Sequence, residues 1–174
     1  MSNIRIGHMT LGIYQTNCYF VYRENSDKVL VFDPADHGEK IEAALGQHGL
    51  HTAAILLTHG HYDHIGSVNE VAAHFGCKIV GAAKEMPVFT DPALNCSQFV
   101  GGPIIVHPDI LVSEGDKVTV GDMEFDVMET PGHTVGFAAI RPDGYLNSMF
   151  VHHDFQRQGI ASLLLEDMEK YARL

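Results

Sequence analysis

A buried strand that runs straight into Thr58-His59-Gly60-His61-Tyr62-Asp63-His64 restricts this chain more than any other feature of its sequence. Ala53 to Leu57 is a continuous apolar run, the pattern of a strand covered on both faces. Four donor side chains follow within six positions. In an extended segment, residues two apart point the same way, so His59 and His61 can converge on one ion. Asp63 and His64 stand where the chain turns into the next helix and can face a second. Imidazole nitrogen and carboxylate oxygen are donors that zinc, iron and manganese accept. Gly60 keeps the loop slim enough for backbone and ion to approach. The competing reading, surface histidines at a helix start, leaves the density of donors at one strand end unexplained. His133, in a Pro-Gly-His-Thr loop just after a strand, is their natural partner.

Composition narrows the context. A chain of 174 residues with 45% hydrophobic residues can bury a sizeable core. A formal net charge of -11 argues against nucleic acid and against an anionic membrane surface as partners, leaving a small-molecule substrate. Cys18, Cys77 and Cys96 are odd in number and form no CxxC pair, so neither a disulfide framework nor a cysteine zinc site is indicated. A reducing cytoplasm is the expected location. The N-terminus lacks the apolar run of a signal peptide, and no apolar stretch reaches membrane-spanning length.

Periodicity predicts a mixed order of elements. Strands are expected at Tyr19 to Tyr22 and Val29 to Phe32, joined by a turn at Glu24-Asn25-Ser26-Asp27. After Asp33-Pro34 a helix is expected to run to about Gln47, closed by Gly49. After the histidine loop, Ile65, Val68, Val71, Ala72 and Phe75 predict one helix. A short strand near Lys78 to Val80 and a short helix near Lys84 to Phe89 come next. Three prolines and two adjacent glycines make residues 91–109 read as a long loop. Strands at Lys117 to Val120 and Met123 to Met128 flank a tight Gly121-Asp122 turn. The last forty residues read as a hairpin, Phe137 to Arg141 and Tyr145 to Val151 around Pro142-Asp143-Gly144, followed by a helix from Gly159. This order implies an α/β or α+β layered domain.

Thr-His-x-His-x-Asp-His followed by Pro-Gly-His-Thr resembles the metallo-β-lactamase superfamily, and more closely its small glyoxalase-II-like members. Thr16-Asn17-Cys18-Tyr19 and Val31-Phe32-Asp33-Pro34 match the same pattern. The resemblance covers residues 1–136 and implies an αββα sandwich. By that resemblance His59, His61 and His133 bind a first metal, zinc or else iron or manganese, and Asp63 and His64 face a second. Asp33 would orient the histidine loop, or, on residue type alone, cap a helix. The implied chemistry is attack of a metal-bound hydroxide on a carbonyl carbon, with Asp63 as the catalytic residue that orients it. The substrates that the resemblance implies are thioesters, lactams and other esters, and its closest likeness suggests a thioester such as an acylglutathione.

After Gly136 the pattern departs from that family: the later strands, helices and late metal-binding histidine are not recognisable, so the sandwich is expected to be truncated. Val151 to Ala161 instead resembles the acetyl-CoA loop of GCN5-related N-acetyltransferases, with Gln156, Gly159 and Ala161 on its signature. That loop holds a pyrophosphate on backbone N–H groups at a helix N-terminus. Gln156-Arg157 also reads as a solvated helix approach. The chain therefore reads as a composite, a hydrolase-like core at 1–136 and an acetyltransferase-like hairpin and helix at 137–174 packed into the same domain. Asp154 lies 154 − 133 = 21 positions after His133, where a bridging carboxylate is expected. It, or His152 or His153, either completes the metal site or is a strand-end residue of the second segment. Three functions are open: a metal-dependent hydrolase, an inactive metal-binding chimera, and an acetyl-CoA binder. An exposed sheet edge would favour a homodimer.

Overall fold

The computed structural model describes residues 4–129 and the strands at 138–140 and 146–149. Six strands form the main sheet: β1 (Ile4–Leu11), β2 (Thr16–Arg23), β3 (Lys28–Phe32), β4 (His51–Leu56), β5 (Lys78–Ala82) and β6 (Ile110–Val112). They lie in sequence order, antiparallel from β1 to β3 and parallel from β3 to β6. Helix α1 (Gly38–Gln47) connects β3 to β4, and α2 (Tyr62–Ile65) with α3 (Val68–Phe75) connects β4 to β5. Parallel neighbours need such crossovers.

The central strands are apolar on both faces because both faces are covered. Val29 and Val31 of β3 and Ile55 and Leu57 at β4 pack with Ile41 and Leu45 of α1 and Val68 and Val71 of α3. Leu30, Phe32, Ala54 and Leu56 point the other way. They meet Val120, Met123 and Phe125 of a second hairpin, β7 (Lys117–Val120) and β8 (Met123–Asp126). Gly121, at φ 62°, makes its turn. The described residues thus stack a helical layer, the six-stranded sheet and a second β layer. β9 (Ala138–Ile140) and β10 (Leu146–Met149) pair antiparallel where the terminal hairpin is expected. The helix expected from Gly159 lies outside the described residues. Among the described residues no helix is long and apolar enough to cross a membrane.

Three local expectations change. The single helix after the histidine loop is two, broken at Gly66-Ser67, where Ser67 N–H donates to Pro34 O at 2.9 Å. β1 is an additional edge strand, and only Leu11 of its eight residues is buried. β6 emerges from the end of the long loop, held by Asp109 N–H on Ile79 O at 2.8 Å and by Ile79 N–H on Asp109 Oδ2 at 2.8 Å.

The cysteines are free and graded in burial, Cys18 buried, Cys77 intermediate and Cys96 exposed. Burial, reinforced by the nearby Asp33 charge, pushes the Cys18 thiol up, and burial pushes Cys77 up to about 11. Thiol labelling at pH 8 followed by mass spectrometry is therefore expected to modify Cys96 first. Cys77, with roughly one thiol in a thousand ionised, should lag well behind, and Cys18 should react only on unfolding. Cys18 labelling at the rate of Cys96 would contradict its place inside β2.

Candidate metal centre

The parallel strands deliver the site at their C-terminal ends, the usual place for a ligand in such a sheet. Asp33 follows β3, Thr58 and His59 follow β4, and Glu85 follows β5 in a 3-10 turn (Ala83–Glu85). β2 runs antiparallel to β3, so its first residue, Thr16, arrives at the same edge.

Asp33 organises the histidine loop. Its carboxylate is buried, with 6% of the side chain exposed. Oδ1 accepts the Thr58 backbone N–H at 2.8 Å, and Oδ2 accepts the Thr58 hydroxyl at 2.6 Å. Oδ2 also lies 2.9 Å from His64 Nδ1. A carboxylate only accepts, so His64 carries its proton on Nδ1. The Thr58 hydroxyl spends its one proton on Asp33 and can only accept from His59 Nδ1, 3.0 Å away. One carboxylate therefore fixes the proton on Nδ1 of both rings, so that in the neutral imidazole Nε2 is the nitrogen left to bind a metal. Both Nε2 atoms are buried. To reach these partners Asp33 takes φ 48°, a left-handed conformation that Asp tolerates better than most residues. Helix α1 has His37 at its N-cap, and its first amide, Gly38 N–H, donates to Ser67 Oγ at 3.0 Å. Asp33 is thus an orienting group and not the cap of α1.

The rings of His59 and His61 lie 4.9 Å apart edge-on, and those of His59 and His64 4.1 Å apart. Asp63 Oδ2 is 3.7 Å from His64 Nε2 and 3.4 Å from Thr16 Oγ1, its hydroxyl donor. The structure thus gathers His59, His61, Asp63 and His64, although among the described residues no three such side chains are arranged to hold an ion by themselves. His133 and Asp154, the other expected ligands, lie outside the described residues. So do Gln156, Gly159 and Ala161 of the acetyl-CoA-like loop. In type and tautomer the donors present fit a divalent ion.

Three alternate amides of the loop, those of residues 58, 60 and 62, are fastened from outside it. Thr58 N–H goes to Asp33, Gly60 N–H to Glu85 Oε2 at 3.1 Å, and Tyr62 N–H to Asn95 O at 2.9 Å. Asn95 is itself fixed, donating Nδ2 to Ile104 O at 2.8 Å and accepting Ser97 N–H at 2.9 Å. The long loop is therefore a built support for the site. Gly60 has a packing reason beyond slimness. A Cβ there would sit 2.9 Å from Val88 Cγ1 and 3.0 Å from Phe89 N, in helix α4 (Met86–Thr90). Glu85 and Asn95 carry no sequence signal of their own; only their three-dimensional placement marks them.

Exposed Ile13 and Tyr14 form the β1–β2 turn beside this loop, with the Tyr14 ring edge-on to Tyr62 at 5.5 Å. Burial, and then the hydrogen bond with Tyr14, hold the Tyr62 phenol above its ordinary pKa.

Residues 11–144 match the Metallo-beta-lactamase superfamily, and residues 121–174 match the Acetyltransferase (GNAT) domain. The chain is 35% identical over 130 residues to "Probable metallo-hydrolase YqgX" of Bacillus subtilis (strain 168), covering 74% of this chain and 61% of that one. It is 40% identical over 128 residues to "Hydroxyacylglutathione hydrolase" of Bdellovibrio bacteriovorus, covering 73% and 44%. It thus spans less than two thirds of the length of either relative. Among solved structures, BLEG-1 B3 metallo-beta-lactamase superposes with a TM-score of 0.71 at 35% identity, covering 78% of this chain and 67% of that one. TTHA1623 in a di-iron-bound form superposes at 0.63 and 26% identity, covering 82% and 76%.

Proposed function

The chain belongs to the metallo-beta-lactamase superfamily, and from that premise we propose that it is a metal-dependent hydrolase of thioesters or esters of the acylglutathione type. The observation that carries this reading is the control of two histidine tautomers by the single carboxylate of Asp33. Relatives named hydroxyacylglutathione hydrolase at 40% and 33% identity support the substrate class. The donor set suits one or two zinc ions, and the di-iron-bound neighbour makes iron an alternative.

His59, His61 and His133 would hold one ion, and Asp63 and His64, with Asp154 as a candidate bridge, a second. An ion held there supplies a Lewis acid and lowers the pKa of a water to roughly 7. The chain's own residues do the rest. Asp33 and Thr58 keep His59 and His64 in the ligating tautomer. Thr16 holds one oxygen of Asp63, so the carboxylate can orient the attacking water and accept its proton. Ile13 and Tyr14 offer an apolar surface to the acyl group. The water oxygen bonds to the carbonyl carbon as its proton passes to Asp63, the carbon–sulfur bond breaks, and the departing sulfur takes that proton to leave as the thiol.

The test is metal content on protein purified without added metal, followed by turnover of an S-acylglutathione, a simple ester and a cephalosporin. Thioester hydrolysis should fall to background with a chelator and return with zinc, iron or manganese. Turnover indifferent to chelation sinks the reading. Bound metal with no turnover leaves an inactive metal-binding protein, and preference for the cephalosporin favours the lactamase likeness.

A second reading rests on the acetyltransferase match over 121–174. The chain is then a composite whose Gln156, Gly159 and Ala161 take the pyrophosphate of acetyl-CoA. Coenzyme A should slow hydrogen exchange between residues 150 and 174, and no slowing overturns it.

A further inference from the structure

We infer that Glu85 is a positioning residue, one that sets the metal-binding geometry of the histidine loop through the backbone amide of Gly60. The inference rests on the metal-dependent reading above for its purpose, and on the geometry for its substance.

Glu85 is 93% buried, since only 7% of its surface remains exposed. Placing a carboxylate there is costly unless it is engaged. Its Oε2 accepts Gly60 N–H at 3.1 Å across 25 residues of sequence. Gly60 lies between His59 and His61, so its peptide orientation sets the angle at which the two rings diverge. The helix that follows the turn, α4, presses on Gly60 as well. Val88 and Phe89 approach so closely that a Cβ on Gly60 would lie within 3.0 Å of both. The 3-10 turn and α4 thus grip Gly60 by a hydrogen bond to a carboxyl oxygen and by van der Waals contact. Neither contact involves a donor side chain, so the grip exists without an ion.

The alternative role for a buried acid beside a metal loop is its charge. Two conservative variants separate the roles. Glu85→Gln keeps the reach and an accepting oxygen but removes the charge. Glu85→Asp keeps the charge but shortens the reach by one methylene.

The measurements are amide exchange of Gly60 by NMR on metal-free protein, thermal unfolding, and zinc affinity by chelator competition. Glu85→Gln should stay far closer to the parent in Gly60 protection and zinc affinity than Glu85→Asp does. Glu85→Asp should speed exchange at Gly60 by roughly 10- to 100-fold, as loss of a hydrogen bond to a charged group implies. It should also weaken zinc binding by about 10-fold or more. Identical Gly60 exchange in all three proteins overturns the inference, as does faster exchange in Glu85→Gln than in Glu85→Asp. If Gly60 responds as expected but no variant or parent binds metal, the positioning role stands and the hydrolase reading falls. If metal binds and Gly60 is indifferent to Glu85, the reverse holds.

Discussion

Asp33→Asn is expected to leave the chain folded and to weaken its hold on a divalent ion by roughly 10- to 100-fold. The variant preserves shape but exchanges one accepting oxygen for a donating NH2 group. With that group at the Oδ1 position it would face Thr58 N–H, donor against donor, so it must take the Oδ2 position. The Thr58 hydroxyl, 2.6 Å away, then has to accept, and its proton turns towards His59 Nδ1. His64 Nδ1, 2.9 Å away, has to accept as well. Both histidines would carry their proton on Nε2, where a ligand lone pair is needed. Asn adopts the left-handed backbone of position 33 readily, so the fold itself loses little. Nitrogen shifts of the imidazoles in the metal-free protein report the tautomers directly. Unchanged tautomers with unchanged metal affinity would refute the account.

Gly66→Ala is expected to be the most damaging single methyl group in the described fold. A Cβ at Gly66 would stand 2.1 Å from the carbonyl oxygen of Ala35, a backbone atom with no rotamer to escape into. The junction of α2 and α3 is pinned to the 33–38 segment by Ser67 N–H on Pro34 O and by Gly38 N–H on Ser67 Oγ. Relief by movement would break those bonds and disturb Asp33 two residues away from Ala35. Overpacking of this kind costs about 3 kcal/mol, which lowers Tm by roughly 6–12 °C for a chain of this length. Gly76→Ala is the control, since no atom lies within 4 Å of a Cβ there, although its φ of 62° carries a smaller backbone cost. A melting curve for Gly66→Ala equal to that of Gly76→Ala would show that the junction yields.

Some of this architecture is legible in the sequence because its determinants are neighbours in the chain. His59, His61, Asp63 and His64 announce themselves by spacing, and the apolar runs of β3 and β4 announce a sheet covered on both faces. Asp33 shows the boundary. Its residue type allows a helix cap or an orienting carboxylate, and only contacts 25 and 31 residues away decide between them. Glu85 and Asn95 act through backbone groups, which leave no trace in residue identity. β1 escapes notice because an edge strand needs little burial: Ile6 is 54% exposed and Gly7 interrupts the alternation. The break between α2 and α3 is hidden in an apolar spacing that continues across it, since Ile65 and Val68 are both buried.

The three acceptors that fasten the amides of residues 58, 60 and 62 belong to residues 33, 85 and 95. All of them precede the second β layer. These fastenings of the histidine loop therefore lie within the first hundred residues of the chain. The shape of the loop is thus set by contacts made early in the chain. A change in the sequence after residue 136 would then leave all three fastenings in place.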